Sequence, residues 1–133
     1  MQVRDGMSEV SVTVGPSHTL RQAAAAMVER NVGAALVIDD EAPGPGIVTE
    51  RDLLLSVGAG EDPDVEPVGE HMTQSVITAE PDWSLEHAAA EMSRRNVRHL
   101  VVFDEGELIG ILSIRDIVRV WTSAGATSGM TPD

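Results

Sequence analysis

Gly46-Ile47-Val48-Thr49-Glu50-Arg51-Asp52-Leu53-Leu54 and Gly110-Ile111-Leu112-Ser113-Ile114-Arg115-Asp116-Ile117-Val118 are two copies of one pattern. Each has a glycine, two apolar residues, a hydroxyl residue, one free position, Arg-Asp, and two more apolar residues. Working outward, Arg30-Asn31-Val32 returns as Arg95-Asn96-Val97, Met27 as Met92 and Leu20 as Leu85, and further out Pro16 returns as Pro81 and Met7-Ser8 as Met72-Thr73. These pairs stand 65 residues apart, and the closing motif 64 apart, because the second copy's turn is one residue shorter. Self-similarity at a fixed period marks one supersecondary unit used twice.

Each copy opens on a short apolar run, Ser11–Val14 or Val76–Ala79, with a proline two residues on. A helix follows. Thr19 takes its N-cap, with Gln22 at capping-box spacing, and Ser84 does the same in the second copy. Leu20, Ala23, Ala24, Met27 and Val28 recur at helical spacing, as do Leu85, Ala88, Ala89 and Met92, so each helix has one apolar face. Two strands come next, Ala34–Ile38 with Ile47-Val48 and Leu100–Phe103 with Leu108–Leu112, separated by Asp/Glu/Gly/Pro turns. A short second helix closes each copy, near Glu50–Val57 and Ile114–Trp121, with Leu53-Leu54 and Ile117-Val118 expected to face inward. The fold class is therefore α/β in content, of the α+β kind, built from two β-α-β-β-α repeats. A single repeat is too small to bury both faces of its sheet, so the two are expected to pack sheet to sheet about a pseudo-two-fold. The expected boundaries are residues 1–60 for the first domain, 61–71 for an acidic Gly/Pro linker, 72–122 for the second domain and 123–133 for a disordered tail.

Composition narrows the function. The chain of 133 residues has no cysteine, which excludes disulfides, thiolate metal sites and a cysteine nucleophile. A net charge of −13 repels phosphate polymers and anionic lipid, so neither nucleic acid nor a membrane is an expected partner. No apolar run is long enough to span a bilayer and no signal peptide is visible, which points to the cytoplasm. All nine basic residues are arginine. Local arginines and oriented amides still attract a small phosphate, because their action lies within a Debye length of about 8–10 Å.

His18, His71, His87 and His99 show no metal-binding spacing, and no nucleophile elbow, triad or catalytic carboxylate pair stands out, so no catalytic residue and no metal is assigned. Trp83 and Trp121 read as packing or dimer-contact residues. The chemistry sits in the repeated motif, where a strand turns into a helix. A helix start offers unpaired amides and the positive end of the macrodipole, and Thr49 or Ser113 adds a hydroxyl donor, a seat for phosphate. Asp52 or Asp116 repels phosphate but accepts two hydrogen bonds from a ribose diol. Together they describe a nucleotide. The same residues also make an ordinary helix start, with Thr49 and Ser113 as caps and the aspartates as first-turn acids. Arg51 and Arg115 fit a phosphate and a solvent-facing ion pair equally well.

The motif strings Val68-x-x-x-Met72-Thr73-x-x-Val76-Ile77-Thr78, Pro81-x-x-Ser84-Leu85-x-x-Ala88-Ala89-x-x-Met92, Asn96-Val97-Arg98-His99-Leu100-Val101-Val102 and Gly110-Ile111-Leu112-Ser113-x-x-Asp116-Ile117 resemble the cystathionine-β-synthase (CBS) domain. The resemblance covers about residues 3–121 and implies a CBS pair, or Bateman module, of the small stand-alone bacterial and archaeal kind. It implies that the Ser/Thr contacts phosphate, that the Asp holds the ribose hydroxyls, and that adenine lies in an apolar cleft near the first strand. Adenine is accordingly placed near Val12-Thr13 with Ala34-Ala35, and near Ile77-Thr78 with Arg98-His99. The implied function is regulatory, an energy-sensing module binding AMP, ADP, ATP or an adenosyl ligand in clefts between the repeats. It requires no cofactor, carries out no catalysis and forms a homodimer. Faces bearing Leu53, Leu54, Val57, Ile117 and Trp121 are the expected contacts. The alternative is a ligand-free interaction protein that docks and regulates a partner enzyme or transporter.

Overall fold

The structure, a computed structural model, describes residues 1–123. The chain divides into two compact units, Val10–Val76 and Met1–Glu9 together with the chain from Ile77 on. Both are α+β, each around a three-stranded sheet.

In the first of these, β1 (Thr13–Val14) runs parallel to β2 (Ala34–Val37), and β2 pairs antiparallel with β3 (Gly46–Thr49). The parallel pair needs a crossover, supplied by α2 (Leu20–Arg30), which follows the four-residue α1 (Val3–Gly6) in chain order. Thr19 and Gln22 form the expected capping box, and the helix stops where Asn31 turns left-handed at φ 54°. Leu20, Ala23 and Met27 bury against Val12, Val14, Ala35, Val37 and Val48. Val28 does not join them and is 79% exposed. At about 100° per residue it lies about 80° round the helix from Leu20, at the rim of the buried stripe. Helix α3 (Glu50–Gly58) follows β3 directly.

The segment read as a linker, 61–71, is packed in this unit. Backbone amides of Leu20 and Arg21 donate to Glu66 O and Pro63 O, and those of Val68 and Gly69 donate to His18 O and Pro16 O. Val68, at the start of a 3-10 turn over Val68–Glu70, is fully buried. Its acidic composition hides a single apolar anchor.

The second unit repeats the plan. Strand β4 (Thr78–Ala79) lies parallel to β5 (His99–Asp104), which pairs antiparallel with β6 (Glu107–Ser113), and α4 (Leu85–Arg95) makes the crossover. Ser84 caps α4 by accepting from His87 N at 3.0 Å, and Asn96 ends it at φ 55°. Leu85, Ala88, Met92, Leu100, Val102, Leu112 and Ile117 form the core, with Trp83 and Trp121 packed against it. Helix α5 runs over Ile114–Ser123, two residues beyond the expected end; the rest of the expected tail, 124–133, lies outside the described residues.

The second helices correct one expectation. Leu53 is half-buried and Ile117 fully buried, but Leu54 is 71% and Val118 55% exposed. Adjacent helical residues point about 100° apart, so a helix laid on its own unit buries one of each pair and leaves the other outside.

Two glycines are fixed by close approach. Ser8 and Ile111 exchange both backbone hydrogen bonds at 2.9 Å, and a Cβ on Gly110 would stand 2.6 Å from Ser8 O. Thr73 and Ile47 do the same in the other unit, where a Cβ on Gly46 would meet Thr73 O and Met72 Sδ at 3.0 Å. The Met-Ser/Thr lead-in of each copy thus pairs with the sheet of the other copy's motif, and the motif glycine admits it.

Candidate functional site

Both copies of the motif lie where a strand becomes a helix, β3 to α3 and β6 to α5. Thr49 is extended (φ −119°, ψ 165°) and is the N-cap of α3. Its hydroxyl accepts from Asp52 N at 3.4 Å, while Asp52 Oδ2 accepts from Thr49 N at 2.8 Å and from Thr49 Oγ1 at 3.0 Å. In the second unit Asp116 N donates to Ser113 Oγ at 3.0 Å, and Ser113 N donates to Asp116 Oδ2 at 2.9 Å. The capping geometry is therefore present at both junctions.

Capping uses only part of each carboxylate. Asp52 Oδ2 closes the cap, and Oδ1 makes no hydrogen bond among the described residues. Asp116 differs, because its Oδ1 lies 3.4 Å from Arg119 Nη2, which also donates to Gly6 O at 3.1 Å. Sequence reasoning missed Arg119, although its i,i+3 spacing from Asp116 is a recognised pairing signal. Leu55 stands at the matching place in α3 and is 59% exposed.

The helix starts are less open than unpaired amides would be. Glu50 N donates to Gly33 O at 3.0 Å and Ile114 N to Arg98 O at 2.9 Å, so the first amide of each helix is already used. The third-position amides, Asp52 N and Asp116 N, are spent on the caps, and the Thr49 hydroxyl donates to Asp52 Oδ2, so an anion there must draw on the second-position amide, the arginine and either the Ser113 hydroxyl or a Thr49 hydroxyl turned away from Asp52. Arg51 and Arg115 are both exposed, and Arg115 has an interaction of its own.

Sheet register sorts the remaining candidates. Ala34 stands opposite Thr49, and His99 opposite Ser113, so these residues meet their motif across the antiparallel pair. Ala35 is fully buried in the core cluster, on the opposite face of β2 from Ala34 because strand side chains alternate. Val12 likewise faces the core while Thr13 is exposed, and Ile77 packs on the core while Thr78 is exposed. Arg98 is exposed and His99 half-buried. The first unit thus has small, neutral groups on this side, Thr13 exposed and Ala34 buried (6% exposed), and the second has an exposed guanidinium and a half-buried imidazole.

The CBS domain family matches this chain twice, over residues 2–58 and 68–123. The chain is 32% identical to the CBS domain-containing protein YhcV of Bacillus subtilis, an alignment covering 97% of this chain and 92% of that one. Its fold is similar to that of a putative signal-transduction protein with CBS domains from Burkholderia ambifaria (TM-score 0.82, 32% identity, 92% of this chain and 95% of that one). It is also similar to the CBS domain pair of protein MJ0100, solved in complex with 5′-methylthioadenosine and S-adenosyl-L-methionine (TM-score 0.80, 26% identity, 93% of this chain and 98% of that one). Two family matches, two repeated sheets and two capped Ser/Thr-x-Arg-Asp junctions lead to one conclusion: the chain belongs to the CBS-domain family, as a tandem pair forming a regulatory module.

Proposed function

We propose that this CBS pair is a non-catalytic sensor that binds an adenosine-containing ligand at its strand-to-helix junctions, with AMP, ADP or ATP as the leading candidates. One observation carries the reading: both junctions hold a hydroxyl, an arginine and a half-buried aspartate together, and at Asp52 one carboxylate oxygen is spare after capping. A ribose diol needs such an acceptor. Thr49 or Ser113 and the arginine serve the phosphate, and Ala34 with Thr13, or His99 with Thr78, flank the base. The complex of protein MJ0100 with two adenosyl compounds supports that ligand class. No helix among the described residues is long and apolar enough to cross a membrane, consistent with the cytoplasmic location we propose. A calorimetric panel of AMP, ADP, ATP, 5′-methylthioadenosine and S-adenosylmethionine tests the reading; saturable binding of at least one supports it, and no binding by any at millimolar concentration removes it.

A second reading, a docking or assembly module, rests on a different observation. Leu54, Leu55 and Val57 expose apolar side chains along α3, and Ile114 and Val118 do so on α5. Such faces favour covering by another chain, and a homodimer is the simplest occupant. Light scattering checks it, since a monomer of 14.1 kDa throughout the micromolar range contradicts the dimer.

A further inference from the structure

Segment 61–71 contains a cluster that neither junction uses. Glu61, Glu66 and His71 each bring one ligand atom within 4.8 Å of the others. His71 Nε2 lies 2.8 Å from Glu66 Oε1, and Glu61 Oε1 accepts from the hydroxyl of Ser56, a residue 3% exposed on α3. Glu66 and His71 are mostly shielded, with side chains 22% and 16% exposed. No arginine among the described residues pairs with either carboxylate.

We infer that Glu61, Glu66 and His71 form a binding site for one first-row divalent cation. One imidazole and two carboxylates make the donor set, which suits zinc and its neighbours better than magnesium, an ion that prefers oxygen alone. Around zinc, ligand atoms at about 2.0–2.2 Å sit about 3.4 Å apart in a tetrahedron, leaving a fourth position for water. The three atoms stand within 4.8 Å of one another, so reaching that spacing closes the widest gap by at most about 1.4 Å. Their backbones are already held: Glu61 N donates to Ser56 O, Glu66 N to Asp62 O, His71 N to Val68 O, and Glu66 O accepts from Leu20 N. The ion takes the place of the proton shared by His71 Nε2 and Glu66 Oε1, and two carboxylates balance its charge. Bound there, it ties the segment after α3 to Ser56 through Glu61, and to the start of α2 through Glu66.

The test uses the full chain without an affinity tag, stripped with chelator and titrated with ZnCl2 and, separately, MgCl2 by calorimetry. The site requires one zinc ion per chain and binding of magnesium at least about 100-fold weaker. His71→Ala and Glu61→Gln should each weaken zinc binding about 10-fold or more; His87→Ala, outside the cluster, should leave it unchanged. Glu61 is exposed, so Glu61→Gln reports on binding even if His71→Ala fails to fold, which circular dichroism shows. The site is overturned by no binding up to about 1 mM ZnCl2, by zinc affinity that Glu61→Gln leaves intact, or by loss of binding in His87→Ala.

Discussion

Replacing Asp52 or Asp116 by Asn separates the proposed ligand binding from helix capping, because the cap uses Oδ2 and the proposed ribose contact uses Oδ1. In Asp52→Asn the amide oxygen can still accept from Thr49 N, now at 2.8 Å, so the cap keeps its main bond and loses the charge. That charge near the helix start is worth about 0.3–1 kcal/mol of stability. A ribose hydroxyl donating to Oδ1 loses a charged acceptor instead, which costs about 1.5–3 kcal/mol, or roughly 10- to 150-fold in affinity. Asp116→Asn should lie at the low end of that range, since Arg119 already engages Oδ1 at 3.4 Å and a ligand must share or displace it. The assay is calorimetry with the tightest-binding adenosine compound, beside urea unfolding of each variant. A 2′-deoxy ligand should reproduce the Asn defect and add little to it, as both remove the same hydrogen bond. Unchanged ligand affinity together with lost stability in both variants would show that the aspartates are caps only, and refute the site.

Three further outcomes follow from the same geometry. A ligand at about 100 times its dissociation constant should stabilise the fold by about 2.7 kcal/mol, seen as a rise of several degrees in Tm; an unmoved melting curve at that saturation contradicts binding to the folded state. Gly110→Ala should destabilise the protein by about 1–3 kcal/mol in urea unfolding, because its Cβ meets Ser8 O at 2.6 Å, and Gly44→Ala, with nothing within 4 Å, should be near neutral. Leu54→Glu, at a position 71% exposed, should leave unfolding nearly unchanged but shift light scattering toward the monomer if α3 is a dimer face; a variant equally dimeric argues for another contact.

Much of this fold was legible because its signals are local. Thr19 with Gln22, and Ser84, announce helix starts by side-chain chemistry alone, and the recurrence of Leu20, Ala23 and Met27 gives the buried stripe. What escaped depends on contacts distant in sequence. The repeat aligns Met72-Thr73 with Met7-Ser8, but nothing in the alignment says that Thr73 pairs with Ile47, or that Gly46 and Gly110 are small for that reason. Leu54 and Val118 looked internal because apolar pairs in a short helix do not reveal which member faces the sheet. The acidic run of 61–71 reads as solvent-loving, and its buried Val68 and the Glu66–His71 pair become visible only in three dimensions. At the junctions the sequence named the candidate residues; that Oδ2 of each aspartate closes a cap, while Oδ1 is spare at Asp52 and held by Arg119 at Asp116, needed the geometry.

Ligand binding at the two junctions is tested by an amide chemical-shift titration of the 15N-labelled chain with the adenosine compound that binds most tightly. Saturable shifts are expected to centre on Thr49–Asp52 with Thr13 and Ala34, on Ser113–Asp116 with Thr78 and His99, or on both sets. Saturable binding whose shifts fall elsewhere and spare both motifs would contradict binding at the junctions.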